Sequence, residues 1–66
     1  QSKAYNTGMI QELQNMQFEY VKGTPQQKEA LASVIIHRAA DYDTNKLPAD
    51  LRQFIDGLRQ ERLSVR

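Results

Sequence analysis

Apolar residues recur at helical spacing in three separate segments of the chain, with polar residues between them. In the first segment the apolar positions lie three or four residues apart: Met9, Leu13, Met16 and Tyr20, widened by Ile10 and Val21. This spacing places them on one face of an α-helix. We predict a helix over about residues 7–22, with Asn6 or Thr7 as N-cap. We also expect Gly23 to adopt a left-handed conformation at its C-terminal end.

The second segment opens with a helix-start signal, because Thr24 is followed by Pro25 and then by Gln27 three positions after the threonine. A threonine N-cap with glutamine at this spacing forms a capping box, and proline is favoured at the first helical position. We predict a helix over about residues 25–42. Its apolar arc is wide enough to pack against two neighbours: Leu31, Ala32, Val34, Ile35, Ile36, Ala39 and Tyr42.

The third segment also opens with helix-start signals, with Pro48 at its start and Asp50 in the first turn. Its apolar positions again follow one helical face: Leu47, Leu51, Phe54, Ile55 and Leu58. We predict a helix over about residues 48–63, and hence an all-α fold, a small three-helix bundle or orthogonal three-helix domain, in one domain over residues 1–66. The residues expected to be most buried are Leu31, Ile35, Leu51 and Leu58.

Composition narrows the classes of function. A chain of 66 residues has a small core and little room for an interior catalytic cavity. The absence of cysteine excludes disulfides and thiolate metal sites, and no apolar run reaches the ~20 residues of a membrane helix. We expect a cytoplasmic protein that is not an enzyme, with no cofactor, no metal, no membrane association and no small-molecule substrate.

Two polar patterns are candidate sites of chemistry. Asp41-Tyr42-Asp43-Thr44-Asn45 resembles the opening of a calcium-binding loop, but Lys46 and Arg52 stand where that loop needs glycine and glutamate. We interpret it as a polar turn. Ser33, His37 and Asp41 lie one turn apart along a helix, but such a row has no oxyanion hole, so we interpret it as a surface feature.

Phe18 does not fit the apolar face of the first helix. At 100° per residue it lies about 140° from Leu13, among polar neighbours that include Gln11, Gln14 and Lys22. Large aromatic side chains are typical anchors of protein interfaces. We expect Phe18 to contact a partner protein or a second copy of the chain, with these polar residues as the rim. The alternatives are that it packs against a loop or the N-terminal segment near Tyr5, or that the first helix is irregular. A single exposed apolar residue also needs no functional explanation.

Arginines form a second candidate surface. Arg52, Arg59 and Arg66 recur every seven residues, and Arg62 lies on their flank. A basic stripe of this kind suits nucleic-acid phosphates. Asp56 lies one turn from two of these arginines and partly neutralises them, so we favour the interpretation of the stripe as a solvated face with local ion pairs.

Short motifs in the second half carry a family resemblance: His37-Arg38-Ala39-Ala40-Asp41, then Asn45-Lys46-Leu47-Pro48, then Phe54-Ile55. They resemble the C-terminal half of the Hha/YmoA modulators, small helical bacterial proteins that bind the nucleoid protein H-NS. The resemblance implies that Asp41 contacts a protein partner. The sequence thus favours a small regulatory or adaptor module that docks on a larger protein or forms a homodimer. The alternative is a nucleic-acid-binding helical domain that uses the arginine stripe.

Overall fold

The computed structural model describes residues 2–64 as three α-helices with no strand among them. Helix α1 spans Lys3–Val21, α2 spans Pro25–Ala39 and α3 spans Ala49–Ser64. A 3₁₀ turn at Thr44–Lys46 connects α2 to α3. The prediction of an all-α, three-helix fold is confirmed. Within the described range no helix combines the length and apolar character needed to cross a bilayer.

Helix α1 begins four residues earlier than predicted. The N-cap is Ser2, whose hydroxyl accepts a hydrogen bond from the Tyr5 backbone N at 3.1 Å. The expected cap, Asn6, has another partner, because its side-chain oxygen accepts a hydrogen bond from the Tyr42 hydroxyl at 2.8 Å. The rings of Tyr5 and Tyr42 lie 6.1 Å apart. The first turn of α1 is therefore fixed to the segment that follows α2.

Gly23 does not adopt the left-handed conformation predicted for it, since no glycine in the described residues has a positive φ. The C-cap is Lys22, and the Gly23 backbone N donates to the Tyr20 carbonyl at 3.1 Å. A Cβ at position 23 would lie 3.2 Å from the Gln27 Cβ and 3.3 Å from the Glu19 carbonyl oxygen. A side chain at this position would therefore be in tight contact with residues at the ends of α1 and α2, which glycine avoids.

The predicted capping box at the start of α2 is confirmed. The Gln27 backbone N donates to the Thr24 hydroxyl at 3.2 Å, and the Thr24 backbone N donates to the Gln27 side-chain oxygen at 2.9 Å. The helix ends at Ala39, three residues before the predicted end. The Ala39 carbonyl accepts hydrogen bonds from the Tyr42 backbone N and from the Arg59 guanidinium, both at 3.1 Å, so the chain leaves the helix without an unpaired carbonyl there.

Helix α3 begins at Ala49, one residue later than predicted. The Pro48 carbonyl accepts a hydrogen bond from the Arg52 backbone N at 2.9 Å, so proline immediately precedes the first helical residue. Asp50 lies in the first turn, where a negative charge favours the helix dipole.

The buried core draws on all three helices and on the connection between α2 and α3: Met9, Leu13, Ile35, Ala39, Tyr42, Leu47, Leu51, Ile55 and Leu58. Helix α2 packs against both other helices, as its wide apolar arc predicted. Two residues of that arc are corrected. Leu31 is only half-buried, because it borders a groove beside Gly23, which has no side chain to cover it. Val34 is 52% exposed.

Candidate protein-interaction surface

The predicted partner-binding residues of the first helix share one outward face of α1. Phe18 is 64% exposed, and Gln11, Gln14 and Lys22 are exposed around it. We call these four residues the Phe18 face. The alternative, in which Phe18 packs against the Tyr5 segment, is wrong. Tyr5 instead pairs with Tyr42, 13 residues and about 20 Å of helix away from Phe18.

A basic side chain lies over the Phe18 ring. The Lys22 Nζ is 4.6 Å from the ring centroid and 3.4 Å from Glu19 Oε2. Cation–π contacts at exposed sites are weak, and exposed ion pairs contribute little to stability. These contacts instead fix the position of the Lys22 side chain. Its ammonium lies over the aromatic ring, and the Glu19 carboxylate balances its charge locally.

Sequence reasoning missed one residue of this surface. Val21 was predicted to widen the core stripe of α1, but it is 66% exposed. The space at this end of the bundle is filled by Tyr20 and Phe54, whose rings meet edge to face at 5.2 Å. Ile10, on the same side of α1 as Val21, is half-buried against the core. The apolar surface around Phe18 is therefore larger than the helical phase of that residue alone indicated.

Besides Glu19, the other acidic residue of α1 is Glu12, and its charge is also balanced within the molecule. Both carboxylate oxygens of Glu12 accept hydrogen bonds from Arg38 on α2, from Nη2 at 2.9 Å and from Nε at 2.7 Å. These hydrogen bonds, with the charge of the guanidinium, lower the pKa of the Glu12 carboxyl and raise that of Arg38. The α1 surface near Phe18 therefore offers a partner almost no unbalanced charge.

Asp41, the fifth predicted partner-binding residue, lies elsewhere. It is exposed and lines an open groove between the start of α1 and the end of α2, together with Tyr5, Val34, His37 and Tyr42. The structure therefore divides the predicted set into two regions at opposite ends of α1. The role of Asp41 in partner binding stays a prediction.

The chemical patterns near Asp41 do not assemble a reactive site in the described part of the chain. Ser33 and His37 line the same groove as Asp41, and no hydrogen bond joins the three side chains within residues 2–64. The Asp43 carboxylate accepts a hydrogen bond from the Asn45 backbone N at 3.1 Å and caps the 3₁₀ turn, as expected of a polar turn. No cluster of three or more potential metal ligands occurs among the described residues.

The arginine stripe of α3 is divided among different environments. Arg59 is half-buried, donates to the Ala39 carbonyl and has its Nη1 3.9 Å from Asp56 Oδ1. Arg52 is half-buried, whereas Arg62 is exposed and borders a different groove. Arg66 lies outside the described residues. Arg59 thus has a structural partner, the Ala39 carbonyl, that the seven-residue spacing of the arginines did not reveal.

No protein-family model, curated protein or solved structure shows significant similarity to the chain. The resemblance of the short motifs to the Hha/YmoA modulators therefore has no support from a match over the chain as a whole.

Proposed function

We propose that the protein is a small, non-enzymatic interaction module, of the regulatory or adaptor kind, that binds another protein through the Phe18 face. The observation that carries this proposal is the 64% exposure of Phe18 on a regular, capped helix whose opposite side supplies Met9 and Leu13 to the core. The monomer gains little from an aromatic side chain at that position, whereas a covered aromatic buries about 150–250 Å².

The surroundings of Phe18 also suit protein binding. Interfaces combine an apolar centre with a polar, solvent-accessible rim. Phe18 and the 66%-exposed Val21 supply apolar area, while Gln11 and Gln14 supply a neutral polar rim. The Lys22 ammonium lies close to the Glu19 carboxylate, so docking at this face does not require the desolvation of an unpaired charge there.

The nucleic-acid alternative has weaker support from the geometry. Binding to phosphates depends on several basic side chains acting together. Arg59 is engaged with the Ala39 carbonyl and lies near Asp56, and Arg62 borders a groove that also contains Glu29 and Glu61. The stripe therefore lacks the concentration of free positive charge that phosphate binding requires.

The proposal is tested by capture from the source cell at moderate salt, with immobilised wild type, Phe18→Ser and Leu63→Ser. Leu63 is 70% exposed on α3, so its replacement is a matched loss of exposed apolar area on a different helix. We expect a protein retained by wild type and Leu63→Ser to fall at least tenfold with Phe18→Ser, the loss of a hot-spot residue. Equal capture by all three folded proteins, or no specific capture by any of them, would contradict the proposal.

A further inference from the structure

We propose that residues 3–8, at the start of α1, open as one unit from the folded bundle and that contacts with Tyr42 hold them closed. We call these residues the 3–8 segment. It lies at the opposite end of α1 from Phe18, so the inference is independent of the proposed function. Three features carry it: the exposure of the segment, the few side chains that attach it, and a glycine at its boundary with the buried part of the helix.

The 3–8 segment contributes no residue to the buried core. All of its residues are exposed except Asn6, which is half-buried. The buried part of α1 begins at Met9, which is 3% exposed, and continues at Leu13. Segments with few buried apolar contacts open at a lower free energy than the whole molecule. The 3–8 segment can therefore lose its helical structure while Met9 and Leu13 stay packed in the core.

Within the described part of the chain, two neighbouring side chains attach the 3–8 segment to elements outside α1. The Asn6 side-chain oxygen accepts a hydrogen bond from the Tyr42 hydroxyl at 2.8 Å, and the Tyr5 ring lies 6.1 Å from the Tyr42 ring. Glu12 and, to a smaller extent, Tyr5 raise the pKa of Arg38, so Tyr5 also lies close to that guanidinium. Because Tyr42 is the partner of both side chains, its contacts form and break together with the closure of the segment.

Gly8 marks the boundary of the segment. It is exposed, a Cβ placed there would meet nothing within 4 Å, and its φ is not positive. Neither space nor backbone conformation therefore requires glycine at this position. Glycine inside a helix loses more backbone entropy than other residues do, so it weakens the helix locally. This weak point immediately precedes Met9, the first buried residue of α1.

Opening of the 3–8 segment changes the groove that contains Asp41. Tyr5 and Tyr42 line this groove together with Val34 and His37. The open form removes Tyr5 from the groove wall and leaves the Tyr42 hydroxyl without its acceptor. The closed and open forms thus present different surfaces at this end of the molecule, while the Phe18 face is the same in both.

Native-state hydrogen exchange of the full chain, followed by NMR, tests the proposal. The backbone amides of Asn6, Thr7 and Gly8 report on the segment, and those of Leu13 and Ile35 report on the core. We expect the three segment amides to share one protection factor, at least tenfold below that of the core. Their exchange should depend little on low urea concentrations, because local opening exposes little surface. Protection equal to that of the core would overturn the proposal.

Thr24→Ala separates local opening from unfolding of the whole molecule. It removes the N-cap of α2, which is present in both the closed and the open form. The core amides of Leu13 and Ile35 should exchange about fivefold faster, the usual effect of losing an N-cap, whereas Thr7 should exchange at the wild-type rate. Equal acceleration at Thr7 would mean that the segment opens only when the bundle unfolds, which contradicts the proposal.

Tyr42→Phe tests whether Tyr42 holds the segment closed. The substitution keeps the ring and removes the hydroxyl that donates to Asn6. Exchange at Asn6 and Thr7 should become roughly fivefold faster, the effect of losing one hydrogen bond. Wild-type rates at these amides would show that the start of α1 frays without being held by Tyr42, and the proposal would fail.

Gly8→Ala tests the boundary. It strengthens the helix at the weak point and should slow exchange at Asn6 and Thr7 by roughly threefold. No slowing there would mean that opening does not extend to Gly8, so that residues 3–8 are not one unit. Circular dichroism confirms that each of the three variants is folded.

Discussion

Arg59 and Arg62 lie less than one helical turn apart on α3 but have different physical roles. The Arg59 guanidinium donates to the Ala39 carbonyl at 3.1 Å, at the C-terminal end of α2. Carbonyl groups at a helix C-terminus lack intrahelical partners and carry partial negative charge, so a cation there both completes a hydrogen bond and interacts favourably with the dipole. Arg62 is exposed.

This difference gives the first prediction. Arg59→Gln should lower the free energy of unfolding by about 1 kcal/mol, because it removes a charge-assisted hydrogen bond at a half-buried site. Arg62→Gln removes the same charge and should change stability by less than about 0.5 kcal/mol. Urea melts of the two variants provide the measurement, and equal losses would show that Arg59 acts only through net charge.

Single residues also show which features of the structure could be predicted from the sequence. The exposure of Phe18 was predictable, because helical phase alone places it away from Leu13. Periodicity could not show that Val21 is exposed, since the Tyr20–Phe54 pair that fills its end of the bundle forms between different helices. Nor could it show that Leu31 is half-buried or that Arg59 binds a backbone carbonyl, since both depend on where α2 meets its neighbours.

At the scale of the helix, local signals predicted the start of α2 correctly but missed the start of α1 by four residues and the end of α2 by three. The start of α2 is fixed by a reciprocal pair of hydrogen bonds between Thr24 and Gln27, which sequence spacing alone reveals. The predicted start of α1 was wrong because the side-chain oxygen of Asn6 accepts a hydrogen bond from the distant Tyr42, and Ser2 is the N-cap instead. The end of α2 depends on Tyr42 and Arg59, which lie beyond the helix itself.

Thr24→Ala tests the capping box. The substitution removes the acceptor for the Gln27 backbone N and should destabilise the fold by ~1 kcal/mol, the usual loss at an N-cap. Gln27→Ala removes the second, reciprocal bond and should cost less. The check is the urea midpoint at constant slope, and a Thr24→Ala protein as stable as wild type would mean that the capping box does not hold α2.

Gly57 gives a prediction of the opposite sign. It lies inside α3, is exposed, and a Cβ placed there would meet nothing within 4 Å. Gly57→Ala should therefore raise the free energy of unfolding by about 0.5–1 kcal/mol, since glycine loses more backbone entropy in a helix. Gly23→Ala is the contrasting variant, because its Cβ would press against Glu19 and Gln27, and thermal melts should show no such gain.

At the scale of the whole molecule, α1 is joined to each of the other elements by contacts between residues far apart in sequence. Glu12 and Arg38 join α1 to α2 across 26 positions, and Tyr42 joins the connection after α2 to Asn6 across 36. The rings of Tyr20 and Phe54 join α1 to α3. These contacts involve the inner and lateral sides of α1 and leave the Phe18 face exposed.

The Glu12–Arg38 pair makes the stability of this arrangement depend on pH. Because the pair lowers the pKa of Glu12 in the folded state, its contribution is complete above the unfolded pKa and is lost as pH falls through the folded pKa. Wild type should therefore lose stability relative to Glu12→Gln as the pH is lowered below about 5. The difference between the two proteins should be constant at higher pH and should shrink with added salt.

Urea melts from acidic to neutral pH measure this difference, with two further variants as controls. Arg38→Gln removes the other member of the pair and should show the same weakened acid dependence as Glu12→Gln. Glu29→Gln makes an equal change in net charge on the exposed side of α2, in a residue with no ion pair in the described part of the chain. This variant should lose stability at acidic pH to the same extent as wild type. If Glu12→Gln and Glu29→Gln shift the acid dependence equally, the effect comes from net charge, and the two helices are not joined by this pair.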